Sequence, residues 1–176
     1  MYQEVYTEPS FSSGWLWFFG FIIIVAVIAF IIFLLFLPGY GVVDQNFSTI
    51  MSGAQVVPPV TTTGKGTGKF TLENDETKIE YNLQASTLSS AVTSVYVAIG
   101  DVGANGTKVK DLMYSSSTTG IYQISGVWTS ADSIQPLTST VVDAFKQGKA
   151  YVVVSTTNNP NGEIRGHIIP LIPILT

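Results

Sequence analysis

Residues 150–166 read AYVVVSTTNNPNGEIRG, and the reading of this stretch decides the fold. Ala150–Thr157 is apolar on both alternating faces for most of its length, the pattern of a strand buried inside a sheet. Thr157-Asn158-Asn159-Pro160-Asn161-Gly162 follows. Asn and Gly tolerate positive φ and Pro presets φ for a turn, so this segment predicts a hairpin connection. Glu163–Ile169 returns as the last clear strand.

Upstream, the same period of two recurs. Ile79, Tyr81 and Leu83 share one face of Lys78–Leu83, with Glu80 and Asn82 on the other. Val95, Val97 and Ile99 alternate with Ser94, Tyr96 and Ala98, and Tyr122, Ile124, Gly126 and Trp128 alternate with Ile121, Gln123 and Ser125. One short helix interrupts the strands: Thr138-Ser139-Thr140 offers a cap, Val141, Val142 and Phe145 form an apolar stripe, and Gly148 ends it. The expected fold is all-β, a β-sandwich of immunoglobulin-like or Greek-key type with about 7–9 strands.

The N-terminal part is different. Trp15–Leu37 reads WLWFFGFIIIVAVIAFIIFLLFL, without one charged residue. A helix of this length reaches roughly 35 Å, enough to cross a hydrocarbon core of about 30 Å. Trp15 and Leu37 mark the ends of the expected span, and Pro38-Gly39 stops the helix. A cleaved signal peptide fits poorly, because no Lys or Arg precedes the run and no small-x-small cleavage site follows it. The nearest cation is Lys65, 28 residues beyond Leu37, so the positive-inside rule assigns no orientation. The expected organisation is a polar tail over 1–13, a transmembrane helix over 14–37, a linker over 38–46, the β-domain over 47–169 and an apolar extended tail over 170–176. In Ile168–Thr176, IIPLIPILT, two prolines argue against a central strand and favour packing or docking.

Composition excludes several classes. The chain has 176 residues and a net charge of −4, with a pI near 4.7. It has no basic field with which to bind nucleic acid. It has no cysteine, which removes disulfides and thiolate chemistry, and one histidine, His167. Thr61–Gly68, TTTGKGTG, lacks the order of a phosphate-binding loop, and G-x-S-x-G is absent.

Phe47–Val60, FSTIMSGAQVVPPV, resembles the opening of a chordin-type (CHRD) domain, with Gly53, Pro58 and Pro59 in its turn. Gly64–Leu72 is similar to the glycine-rich lead that follows in that family, and Asn105-Gly106 to its mid-domain turn. Tyr151-Val152-Val153-Val154, followed by Gly162-Glu163-Ile164-Arg165-Gly166, resembles its end signature. The resemblance implies an all-β interaction or structural module used outside the cytosol. It also implies three histidines at positions that hold Tyr96, Ala98 and Ser155 here, so no metal role is carried over.

Glu163 and Arg165, two apart, are expected on one face of a strand as a polar pair, with His167 beside them. Asn46-Phe47-Ser48 and Asn105-Gly106-Thr107 fit the glycosylation triplet, making Asn46 and Asn105 candidate acceptors. The functional expectation is a non-enzymatic, single-pass membrane protein with no cofactor, metal or small-molecule substrate. Its partners would be the lipid bilayer and other structural proteins. Most specifically, it is read as a minor capsid protein at a virion's inner membrane, tethering that membrane to a protein shell. A cell-surface adhesion module of the CHRD type is the second reading, and a metal-dependent enzyme on a sandwich scaffold the third.

Overall fold

The computed structural model describes residues 13–35, 43–115 and 120–171, with the side chains of the N-terminal helix described over 17–33. The chain divides into two compact units, Met1–Val42 and Val43–Thr176. The first contains helix α1 (Ser13–Leu35), 23 residues without a charge. Its side chains over 17–33 are exposed, apart from half-buried Gly20. Among the described residues, no helix is long and apolar enough to cross a membrane. Residues 17–33 make a shorter run than the full helical backbone, which extends about 35 Å. The side chain of Trp15, as well as Leu37 and most of the expected linker, lies outside the described residues.

Among the described residues, the second unit holds nine strands, β1 (Gln45–Ser52), β2 (Lys65–Leu72), β3 (Lys78–Ser86), β4 (Val92–Ile99), β5 (Thr107–Asp111), β6 (Tyr114–Ser115), β7 (Ile121–Thr129), β8 (Ala150–Thr156) and β9 (Ile164–Pro170), and helix α2 (Ser139–Lys146) between β7 and β8. They form one sheet in the order β5-β4-β8-β9-β1-β2-β3-β7-β6. Every ladder is antiparallel. This corrects the expected two-layer sandwich. A sandwich and a curled sheet both require strands with one apolar face, and here the strands stay hydrogen-bonded in one layer that curls on itself.

The curl brings the two ends of the sheet together through side chains. Tyr114 Oη on β6 donates to the Val92 carbonyl on β4 at 3.1 Å, and Val92 N donates to Tyr122 Oη on β7 at 3.5 Å. Lys110 on β5 pairs with Asp132 just after β7, and its Nζ lies 6.0 Å from the centroid of the Trp128 ring. The Asp132 carboxyl is held down at about 2, first by the Lys110 ammonium and then by the Gln135 and Ile134 amides.

One main hydrophobic cluster fills the curl, drawing on β1, β2, β3, β4, β7, β8, β9 and α2. The helix forms where the sequence predicts it. The Thr138 side chain accepts from Val141 N, and Val141, Val142, Ala144 and Phe145 are buried. Gly148, at φ +68°, turns the chain out of it. Phe145 lies at the centre, its ring 5.6 Å from Phe47, 5.5 Å from Phe70 and 6.2 Å from Trp128, all edge to face.

Ile168–Pro170 belongs to β9, which lies inside the sheet between β8 and β1. The expectation that prolines exclude a central strand is corrected here. Pro170 is the strand's last residue, paired with Phe47, and the next amide, Leu171 N, donates to the Asn46 carbonyl at 2.8 Å. Residues 172–176 of the expected tail lie outside the described residues.

Candidate functional site

Alternation along β4, β8 and β9 sends one set of side chains into the main core and the other to the opposite, outer face. Val95, Val97, Ala150, Val152, Val154, Ile164 and Ile168 go inward. On the outer face Ala98, Tyr151 and Val153 form a second small cluster, with Tyr96 packed against it. Register aligns Tyr96 with Val153 and Val153 with Arg165 in one row across the sheet, and Ala98 with Tyr151 and Tyr151 with His167 in the next.

Arg165 is the centre of this arrangement and is 1% exposed. Its guanidinium carbon lies 3.6 Å from the centroid of the Tyr151 ring, a close cation–π contact. Nη2 is 3.1 Å from His167 Nε2 and donates to the Asp101 carbonyl at 3.5 Å. Nε and Nη1 have no hydrogen-bond partner and are buried. None of the ion pairs among the described residues includes Arg165. The Asp101 carboxylate faces Lys149 instead, at 3.5 Å. Arg165 also lines a cleft of about 360 Å³, walled by Val57, Pro58, Tyr96, Asn105, Tyr151 and Asn161.

The contacts of His167 fix its tautomer. A carbonyl can only accept, so Nδ1 donates to Gly148 O at 3.2 Å, and Nε2 is left to accept from Arg165. The ring is therefore neutral. Burial lowers its pKa below 6.5; the Gly148 carbonyl acts in the opposite sense, and the Arg165 charge adds to the lowering. The Gly148 contact comes from the turn that ends α2, and no sequence pattern pointed to it.

Glu163 does not join Arg165, so the expected polar pair is corrected. It precedes β9, at a turn where Gly162 has φ +125°, and thus lies outside the alternation of the strand. Its carboxylate is fully buried. Oε1 accepts from Thr62 Oγ1 at 2.6 Å and from Ser89 N at 2.7 Å; Oε2 accepts from Ser89 Oγ at 2.8 Å and from Thr156 Oγ1 at 2.7 Å. Burial pushes this carboxyl up, but the Thr62, Thr156 and Ser89 hydrogen bonds together outweigh it and hold it below 4.5. Glu163 ties three loops at one end of the sheet, which is a structural task.

The remaining motif residues divide between framework and cleft. Gly53 begins a 3-10 turn (Gly53–Gln55), its carbonyl accepts from Val56 N and Val60 N, and a Cβ there would strike the Val60 carbonyl. Pro58, after a cis peptide bond, lines the cleft, and Pro59 is an exposed neighbour. At Gly166 a Cβ would come within 2.5 Å of the Ile50 carbonyl and Thr49 Oγ1, so glycine lets β9 lie close against β1. Tyr151 Oη accepts from Gly106 N at 2.7 Å.

Of the glycosylation candidates, Asn105 donates through Nδ2, the atom a glycan would occupy, to the Val57 carbonyl at 3.0 Å. Asn46, exposed on β1, accepts from Thr71 Oγ1 at 3.0 Å. Tyr96 and Ala98 lie on the outer face, and by alternation so does buried Ser155. Among the described residues, no group of three or more His, Asp or Glu side chains is placed to hold a metal ion.

Comparison with curated proteins and with solved structures gave no match to this chain. The family model of the CHRD domain matches residues 47–168. That stretch runs from Phe47 on the middle strand of the sheet to Ile168 in its core, taking in α2, β2 to β8 and all but the outermost two residues of β1 and of β9, and the chain belongs to the CHRD-domain family.

Proposed function

We propose that this protein is a non-enzymatic, single-pass membrane protein whose CHRD domain binds another protein, acting as a structural tether. The observation that carries the reading is α1: 23 helical residues, none charged, whose described side chains point outward as bare apolar groups. An exposed helix with no polar face is unfavourable in water and stable in hydrocarbon. Trp15 and Trp17 at its start suit a membrane interface. The domain supports the binding half of the proposal through the cleft on its outer face, which Tyr96, Tyr151, Val153 and Arg165 help to line. A minor capsid protein joining an internal membrane to a protein shell is the specific form we favour, because tethering needs only an anchor and a binding face. A cell-surface adhesion module uses the same two parts.

Alkaline carbonate extraction of membranes carrying the full chain tests the anchor. The protein stays in the membrane pellet, and a variant lacking Ser13–Leu35 moves to the supernatant. Full extraction of the intact chain would refute the anchor. Quantitative mass spectrometry of purified particles against host membranes separates the two settings: a fixed copy number in the particle supports the capsid form, and enrichment at the cell surface supports the adhesion form.

A further inference from the structure

We propose that the cleft above Arg165 is a binding site for a carboxylate, and that the occupant is an acidic side chain of a protein partner. The inference deepens the binding-module reading and rests on it for the source of the ligand, whereas the site itself follows from the geometry of the outer face.

Three observations carry it. First, Arg165 is an uncompensated buried cation: it is 1% exposed, and no carboxylate pairs with it among the described residues. Burying a charge without a counter-charge is costly, and the Tyr151 ring face compensates only part of that cost. Second, the guanidinium keeps unused donors. Nε and Nη1 have no partner, while Nη2 is spent on His167 and the Asp101 carbonyl. Native structures rarely leave buried donors unpaired, and an arginine is the side chain best shaped to receive a carboxylate. Third, the donors belong to a residue lining a cleft of about 360 Å³, large enough for a side chain and its flanking peptide.

The walls select the occupant. Tyr96, Tyr151, Val153 and Pro58 present ring and aliphatic surface, and Asn105 and Asn161 present amides at the loops. Lys108 lies 5.7 Å from the Tyr96 ring centroid but is already paired with Asp111 at 2.8 Å. Among the described residues lining the cleft, one unpaired cation matches one negative charge, which favours a carboxylate over a doubly charged phosphate. Half-buried Tyr96 lies in the same row as Arg165, across Val153, and borders the way in to it.

The test uses the full chain in a non-ionic detergent micelle, with the Arg165 Nε–H resonance as the probe of the site. Two ligands are titrated: sodium acetate, and a capped peptide with one central glutamate, alongside its glutamine counterpart. The glutamate peptide shifts the Nε–H signal saturably and slows its exchange with water, and it binds about tenfold more tightly than acetate because the walls contact its flanking residues. The glutamine peptide leaves the signal in place. Equal binding of acetate and peptide supports the carboxylate site but assigns it to a small free acid. Asn161→Asp, an exposed turn change that leaves Arg165 untouched, places a competing charge at the mouth and weakens glutamate-peptide binding about fivefold. No shift with either carboxylate, or an equal shift with the glutamine peptide, overturns the proposal. Neither result depends on whether α1 is extracted by carbonate, so the anchor and the site fail separately.

Discussion

The guanidinium of Arg165 sits 3.6 Å from the ring centroid of Tyr151, and the hydroxyl of that same ring accepts from Gly106 N. Tyr151 thus supports the buried cation with its face and the 100–106 loop with its edge. Tyr151→Phe removes only the acceptor and is expected to cost about 1 kcal/mol. Tyr151→Leu also removes the ring face and should cost about 2 kcal/mol more. Chemical denaturation of the two variants checks this ordering; equal losses would show that the ring face contributes nothing to holding Arg165.

Glu163 gives an acid-side prediction. Its folded pKa lies below 4.5, so the stability it contributes is present above the unfolded value and is lost as pH falls through the folded one. Wild type should lose stability more steeply than Glu163→Gln below pH 4.5. Above that pH, Glu163→Gln is expected to be less stable by about 3 kcal/mol, because the amide cannot accept from all four donors. Denaturation midpoints measured across the acid range decide it, and parallel pH profiles would contradict the assignment.

His167 titrates on the other side of the scale. Its folded pKa is depressed below 6.5, so the unfolded chain takes up the proton first. Its contribution to stability is intact above pH 6.5 and falls away as pH drops from there toward the folded value. The ring C2–H shift followed by NMR should show a midpoint below 6.5. In Arg165→Gln the midpoint should rise, because one lowering influence is gone. A midpoint at or above the ordinary value would refute the neutral tautomer that accepts from Arg165.

Helix α2 is predicted to act as a plug for the curled sheet. Phe145→Ala should cost about 3–5 kcal/mol, since its ring touches three other buried aromatics. Thr138→Ala, which removes the cap, should cost about 1 kcal/mol. Thermal unfolding measures both. Similar small losses for the two would show that the helix is merely laid on the surface.

Ending the chain after His167 removes Ile168, fully buried, together with the β9 pairings to Phe47, Ser48 and Thr49. Ending it after Leu171 removes neither. The shorter chain should fail to accumulate folded, while the longer one keeps its unfolding midpoint. His167→Ala should cost less than the shorter truncation. Limited proteolysis and yield of folded protein are sufficient readouts.

The strands were legible because a period of two survives any arrangement of the sheet. Ile79, Tyr81 and Leu83, or Ile124 and Trp128, must face a core whichever strands lie beside them. Sheet order was not legible. It depends on pairings such as β1 with β9 and β4 with β8, between strands far apart in the chain, and alternation carries no information about them. The same gap explains the candidate site. Arg165 and His167 were read on one face because they share β9, and the structure brings them together at 3.1 Å. Counting two residues back places Glu163 with them, but the strand begins at Ile164 and the turn at Gly162 breaks the count. Gly148, Asp101 and Gly106 joined the site through loop geometry that leaves no periodic trace.

The place where the chain enters the sheet has a mechanical consequence. β1 is the fifth of nine strands, held on one side by β2 and on the other by β9. A pull applied through residue 45 cannot peel a strand from an edge. It must slide β1 against two neighbouring ladders at once, so the rungs share the load in shear instead of opening one after another. Force entering at residue 45 is thereby spread over two ladders, a property that the proposed tether would use.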